Sequence, residues 1–370
     1  MNVLVWAGWY PKDENSYNGI FVKKHLQIIG KKHHLRIFHI SNHSSFSFKV
    51  KQNNTAYGTE RIYFIPDFKL FTLLAFLIVP IYEYLFTKPK ADILHLHCSY
   101  PIILFTYTLK LLGLKKIVLT EHWTGYTTND GTYDKMPLLL KFLLRKALSS
   151  INATSVVSSG LLNEMENRKL LPLKKIIIPN VVKFPEKLID NKPFEYISFF
   201  TICTLEDKAK NISGIIRAFS KALQYNLKLK LTIYGDGVDE INLKSLTSDL
   251  KLLDSSIFFK GYIPNNKISE VYFSHHVFIT FSNYETFSIA TAEALTHGVP
   301  VIASKSGGPE NFVNKNNGLL VNCKNENELT DAIVSLAQNI KSYNNNEISN
   351  AMRNLFSEKE ILNGFDKLYN

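Results

Sequence analysis

The sequence predicts an α/β protein built of two doubly wound, Rossmann-like domains. Three observations carry this. The chain has 370 residues, and a domain takes about 100–200. Short apolar, β-branched runs alternate with helix-forming segments through both halves, the pattern that builds parallel sheets. The alternation stops once, over residues 181–193, where two Pro and several charges read as a linker, and then restarts. The N-terminal domain is accordingly placed at 1–184 and the C-terminal domain from 185.

Val3–Ala7 reads as the first strand. Gly8-Trp9-Tyr10-Pro11 and the polar residues to Asn18 form a loop, and Gly19 opens a helix to about Ile29. A loop that enters a helix at Gly suits close approach of a phosphate to the backbone, although Gly19 alone is only a turn signal. No GxGxxG fingerprint supports a dinucleotide. Leu35–Ile40 and Ile62–Ile65 are further strands. Residues 67–88 are the most apolar stretch, but they contain Pro80 and Glu83. A span needs about 20 clean apolar residues, so this is read as a buried or interfacial helix broken near Pro80. Asp92–His97 alternates as a strand, Pro101–Leu112 suits a helix, and Lys116–Thr120 is the next strand.

That strand delivers Glu121-His122-Trp123-Thr124-Gly125-Tyr126. Open parallel sheets bind ligands beyond the carboxyl ends of their strands, which is where His122 falls. Histidine is readily tuned for proton transfer near neutral pH; a lone His is more often structural. The following loop, with Asn129-Asp130-Gly131, suits acceptor recognition. Met136–Leu148 is an amphipathic helix bearing Lys141, Arg145 and Lys146. Ala153–Val157 is a strand, Ser158-Ser159 a helix cap, and Lys174–Ile178 a short strand closed by Pro179-Asn180.

In the second half, Tyr196–Cys203 is a strand and Ile212–Leu223 a helix, joined by a turn containing Lys208 and Lys210. Leu229–Tyr234 leads into Gly235-Asp236-Gly237, and Ile257–Lys260 into Gly261-Tyr262-Ile263-Pro264; each is a turn that lets a ring or phosphate reach the backbone. Val277–Phe281 precedes the stretch SNYETFSIATAEALTHGVPVIASKSGG, Ser282 to Gly308. There, a polar turn enters a helix expected over Thr286–Thr296, which His297-Gly298 stops. Val299–Ala303 is the next strand. Glu285 and Glu293 stand eight positions apart, about 12 Å if both are helical. A hydrolase pair stands roughly 5–9 Å apart, so these two suit holding separate parts of a long ligand. The helix N-terminus between them favours an anion. Taken singly, Glu285 also reads as a helix cap and Glu293 as a solvated residue.

This string, Glu, seven residues, Glu, then Gly-Val-Pro-Val-Ile and Gly-Gly-Pro-Glu, resembles the retaining nucleotide-sugar glycosyltransferases of family 4, which have the GT-B fold. The resemblance implies two domains facing a cleft, with nucleotide sugar on the C-terminal domain (185–356) and acceptor on the N-terminal one. A last helix, about 357–370, would cross back to the N-terminal domain. The WYP…G-I-F segment implies that Gly19 lies against the donor diphosphate. Lys210 matches the family Lys that binds the diphosphate, by its distance to Ala218-Phe219. The partner Arg is missing near Thr204, so Lys208 is a candidate to share its role. The resemblance further assigns Gly235, Asp236 and Ile263 to the base, Thr286, Phe287 and Ser288 to the diphosphate, Glu293 to the ribose and Glu285 to the sugar. It places His122 beside the transferred sugar and Glu121, Trp123 and Thr124 with the acceptor. Ser288 stands where Gly is common. Glu285, His122 and Lys210 are the catalytic candidates.

The implied reaction moves a hexose, with retention, from a nucleoside diphosphate sugar to a hydroxyl of a saccharide or lipid-linked acceptor, as in cell-surface polysaccharide synthesis. It implies no cofactor and no essential metal; the turns lack a DxD and the sequence shows no His/Cys ligand spacing. An epimerase or phosphorylase of the same fold and a non-catalytic protein are the alternatives. Cys98, Cys203 and Cys323 are odd in number and far apart, as in a reduced compartment. The start lacks the basic and long apolar regions of an export signal, so a cytoplasmic location is expected. The net charge is +11, but residues 1–180 carry +12 and the remainder −1. Nucleic acid, anionic lipid, an anionic acceptor or plain lysine-rich composition each account for that excess. No nucleic-acid motif accompanies it, so nucleic acid is not expected. An anionic membrane surface, met peripherally at the cytoplasmic face of the plasma membrane through Phe68–Phe86 and Lys141, Arg145 and Lys146, is expected instead.

Overall fold

The apolar runs form two sheets, and the order of their strands decides where a ligand can sit. The computed structural model describes residues 1–13, 18–189, 195–225, 227–264 and 266–370. The chain divides into two compact units, Met1–Val181 with Glu358–Asn370, and Val182–Ser357. Of the expected linker, 181–189 contains no helix or strand, and 190–193 lies outside the described residues, as do 14–17 of the first loop.

The first unit holds strands β1 Asn2–Ala7, β2 His34–His43, β3 Lys49–Thr55, β4 Gly58–Pro66, β5 Ile93–His97, β6 Ile117–Glu121, β7 Ala153–Val156 and β8 Lys175–Ile177. Across the sheet they run β3-β4-β2-β1-β5-β6-β7-β8, parallel except for the β3–β4 pair. The chain winds outward from β1 and then returns to β5 on its other side. That reversal opens a crevice at the carboxyl ends of β1 and β5. Strand β3 was not expected from the sequence. Its residues, KVKQNNT, are exposed except for the half-buried last one, so no buried face imprints an apolar alternation. A lysine-bearing strand is a usual guard for a sheet edge.

The apolar helix runs unbroken over Lys69–Leu85 with Pro80 inside it, against the expected break. One missing N–H removes a single rung from a helix of 17 residues, and a helix can absorb the local cost of about 3 kcal/mol when flanking turns hold it. The last helix, Glu358–Tyr369, packs on helix Ile20–Ile29 and on β7 and β8. It places Ile361, Phe365, Leu368 and Tyr369 in the core of the first unit.

The second unit holds β9 Ile197–Ile202, β10 Leu229–Tyr234, β11 Ile257–Gly261, β12 Val277–Thr280, β13 Val301–Ser304 and β14 Gly318–Val321. The order is β11-β10-β9-β12-β13-β14, all parallel. Here the reversal lies between β9 and β12. Helix Ile212–Ala222 buries Ile212, Ile215, Ile216 and Phe219 in the core beside the sheet, each contributing about 1.5–3 kcal/mol.

Candidate functional site

In the second unit, every expected donor residue except Glu293 lies in the segment that leaves a carboxyl strand end, Lys210 closing a one-turn helix Asp207–Lys210 there. Lys210 follows β9, Gly235 and Asp236 follow β10, Ile263 follows β11, and Glu285 follows β12. Strands β9 and β12 flank the reversal, so Lys210 and Glu285 meet although 75 residues separate them: Lys210 Nζ lies 2.6 Å from Glu285 Oε1. The turns that carry them are tied by Asn283, whose N–H donates to the Ala209 carbonyl at 2.8 Å and whose side-chain amide donates to the Lys208 carbonyl at 2.8 Å. Ser282 Oγ donates to Glu285 Oε1 at 3.0 Å. Burial alone would lower the Lys210 pKa, but the Glu285 carboxylate outweighs it and raises the value. Lys210 is therefore a fixed cation, one-quarter exposed. Lys208 and Thr204 are exposed.

Gly235 has φ 126°, and a Cβ there would fall 1.8 Å from the Cys203 carbonyl oxygen. Only glycine permits this crossing of the β9 and β10 ends. The Gly307-Gly308 turn after β13 does the same for the Glu285 loop. Added Cβ atoms would lie 2.9 Å from the Glu285 carbonyl oxygen and 2.6 Å from the Phe287 backbone, while Glu285 N–H donates to the Ser306 carbonyl at 2.9 Å.

The helix expected from Thr286 begins at Ile289. Thr286, Phe287 and Ser288 belong to the preceding loop, so Glu285 and Glu293 are not on one helix and the helical spacing does not apply to them. The Phe287 ring is buried against Phe312 and Phe356, at 5.4 and 5.6 Å between centroids, so only its backbone is left for a phosphate. Ser288 caps the helix from the left-handed region, φ 68°, with Oγ 2.7 Å from Thr291 Oγ1. Glu293 is 8% exposed and receives Tyr272 OH at 3.4 Å, a contact that sequence reading missed.

In the first unit, Gly19 caps helix Ile20–Ile29 with φ 79°, and a Cβ would lie 2.5 Å from the Tyr10 nitrogen. Phe21 follows it and packs on His122, centroids 4.7 Å apart. His122 is 3% exposed, and burial, with His25 and His95 nearby, holds its pKa well below the ordinary value. It is a neutral imidazole at pH 7, suited to exchanging hydrogen bonds with a hydroxyl rather than donating a proton as an acid.

Glu121 does not reach a ligand. It is fully buried, its Oε1 accepts from the N–H groups of His122 and Trp123 at 2.9 Å each, and its Oε2 from that of Ser99 at 3.1 Å. Burial raises its pKa in spite of these bonds. Glu121 shapes the loop instead of contacting an acceptor. Trp123 is half-buried and stacks on Tyr100, with centroids 5.2 Å apart and 17° between planes. A Cβ on Gly125 would strike the Trp123 ring at 2.2 Å. Thr124 Oγ1 donates to Asp130 Oδ2 at 2.7 Å, bracing the start of the loop.

Behind His122 the fold gathers two histidines that spacing in the sequence did not connect. His25, His97 and His122 each present a ring nitrogen, all within 4.8 Å of one another and all buried. His97 Nδ1 faces His122 Nε2 at 3.5 Å, and His25 Nε2 contacts the Pro179 carbonyl at 2.9 Å. Zinc takes imidazole at about 2.0–2.1 Å, so among the described residues these three could hold a metal after contraction.

A family model for glycosyl transferases group 1 matches residues 189–353, and one for glycosyltransferase family 4 matches residues 11–183. The chain belongs to the group 1 glycosyltransferases of the GT-B fold. Sucrose-phosphate synthase of Zea mays is 32% identical over 146 residues, 35% of this glycosyltransferase. The match spans only 14% of that relative's length. N-acetyl-alpha-D-glucosaminyl L-malate synthase of Bacillus anthracis is 24% identical over 296 residues, 76% of this chain and 75% of that one. Among solved structures, sucrose-phosphate synthase from Thermosynechococcus elongatus superposes with a TM-score of 0.81 at 16% identity, covering 100% of this chain and 98% of its own. The structure of Anabaena HepE in complex with UDP and glucose gives 0.73 at 13% identity, with coverage of 100% and 99%. These structural likenesses are of fold alone.

Proposed function

We propose that this glycosyltransferase moves a hexose from a nucleoside diphosphate sugar to a hydroxyl of a saccharide or lipid-linked acceptor, with retention at the anomeric carbon and without an essential metal or cofactor. The observation that carries the reading is the Lys210–Glu285 pair at the reversal of the second sheet. A fixed cation there suits the charge that grows on a leaving diphosphate, the role a divalent ion plays elsewhere. The loop backbone at Thr286, Phe287 and Ser288 adds N–H groups at the same strand end. Glu285 is assigned to sugar hydroxyls, Glu293 to the ribose, and Gly235, Asp236 and Ile263 to the base. The acceptor is assigned to the first unit, where Trp123 and Thr124 border neutral His122. In the transfer the bond from anomeric carbon to phosphate oxygen breaks, the bond to acceptor oxygen forms on the same face, and the acceptor proton passes to the leaving phosphate. Cell-surface polysaccharide synthesis at the cytoplasmic side of a membrane is the setting this reading favours.

Purified protein offered a panel of nucleoside diphosphate sugars, uridine donors first because the Anabaena structure holds UDP, should release nucleoside diphosphate from one of them. Release should persist in EDTA. A Lys210→Met variant that turns over like the wild type would overturn the assignment. Activity lost to EDTA and restored by Mg²⁺, Mn²⁺ or Zn²⁺ would overturn the metal-free reading and direct attention to the three histidines.

A further inference from the structure

The helix Lys69–Leu85 is turned inside out. Its buried residues are Ala75, Pro80, Glu83 and Tyr84, while Leu70, Leu74, Ile78, Tyr82 and Leu85 stand 41–60% exposed in one stripe at helical spacing. The orientation is set by Glu83. Its buried carboxylate accepts from Arg61 Nη1 at 3.0 Å, Tyr63 OH at 2.6 Å and Thr87 Oγ1 at 3.2 Å. Rotating the helix to bury the leucines would pull this acid off its partners, at the cost of an unpaired buried charge. The exposed stripe is thus a fixed feature of the fold.

A second helix with exposed apolar residues is linked to it by packing. Phe76 meets Phe105 edge-on at 5.3 Å, and the turn Ile102–Phe105 packs on helix Leu138–Ser149. That helix leaves Leu138, Leu139 and Phe142 at 60–82% exposure. Scattered apolar residues are ordinary on a surface, whereas a stripe of five aligned on one helical face marks an interaction site. The charges around it are mainly basic, with exposed Asp67, Asp92 and Asp134 at its margins. Residues 136–150 carry Lys141, Arg145 and Lys146 and no Asp or Glu, and exposed Lys88 and Lys90 follow the first helix.

No helix among the described residues is long and apolar enough to cross a membrane. We infer that this face lies on an anionic lipid bilayer, with helix Lys69–Leu85 in the interfacial plane and its aliphatic stripe among the acyl chains. An apolar helical face rimmed by cations is the chemistry of an in-plane membrane helix. The cores of protein interfaces are, by contrast, depleted in lysine. The inference goes beyond the transfer reaction and does not depend on it.

The test is flotation of the full chain with vesicles of phosphatidylglycerol and phosphatidylcholine, or of phosphatidylcholine alone, without donor, so that its outcome is independent of activity. The protein should float with the anionic vesicles at low salt, and less as salt rises. Leu74→Gln with Ile78→Gln leaves the charge unchanged and touches only exposed side chains. The double variant should keep its melting temperature and lose at least about tenfold in partitioning. No flotation at low salt, or equal flotation of the double variant, would overturn the inference. So would a dimer in sedimentation velocity that the double variant dissolves, which would show that a second copy covers the face.

Discussion

Glu285 and Glu293 carry the same charge in different surroundings. Glu285 sits on a loop, bonded to Lys210 and Ser282, and Glu293 lies on the next helix against Tyr272. Glu293→Ala should therefore raise the donor KM, and Glu285→Ala should lower kcat. Each removes a charged hydrogen-bond acceptor, about 1.5–3 kcal/mol, or roughly one to two powers of ten. Without Glu285 the Lys210 ammonium is released toward phosphate, so donor affinity should hold. Steady-state kinetics decide this, and equal, small effects on both constants would sink the division of roles. The place of Lys210 in the turn after the strand Ile197–Ile202 was legible in the sequence. Its pairing with Glu285 was not, because that contact exists only once β9 and β12 are neighbours.

At the scale of elements, the site depends on crossings of strand ends that only glycine allows. Gly235→Ala forces a Cβ into the Cys203 carbonyl at 1.8 Å from a left-handed backbone. Gly113, at φ 93°, has nothing within 4 Å of its added Cβ, so its alanine variant carries the backbone strain alone, about 1–2 kcal/mol. Gly235→Ala should lower the urea midpoint clearly more than Gly113→Ala. A smaller or equal drop would mean the turn relaxes freely. The turn itself was readable from Gly235-Asp236-Gly237. The true start of the helix at Ile289 was not, because Phe287 is drawn into a tertiary cluster with Phe312 and Phe356 and local propensity does not record that pull.

For the molecule as a whole, the first unit is set to fail in acid. Burial lowers the pKa of His25 and His39 to about 4 and of His95 to about 3. An unfolded chain titrates these side chains near 6.5. Between those limits the unfolded state holds more protons than the folded one, so stability is full above about 6.5 and falls as pH drops toward 4. Each histidine contributes up to about 1.4 kcal/mol per pH unit in that window. The melting temperature should decline steadily from pH 6.5 to 4, and less steeply over that range in a His25→Gln, His95→Gln variant that still folds, because His39 and His122 keep part of the effect. A flat profile in the wild type would show that these sites are wet. His95 reaches Tyr369 OH at 2.7 Å, 274 residues away, a partner supplied by the returning last helix.

By itself the sequence determined the alternation of strands and helices, the two parallel sheets and the strand ends that bear the site, because buried parallel strands require continuous apolar runs and their exits require Gly and polar residues. The edge strand β3 left no trace, since neither of its faces is buried. The helix Lys69–Leu85 read as apolar, yet composition is silent on which side faces out. That was decided by Glu83, whose partners Arg61 and Tyr63 lie about 20 residues back on β4. Tertiary structure likewise drew His25, His97 and His122 into one buried cluster and turned Glu121 from a ligand contact into a clamp on its own loop. In each case long-range neighbours supply the partner, and a side chain's role follows from what it touches.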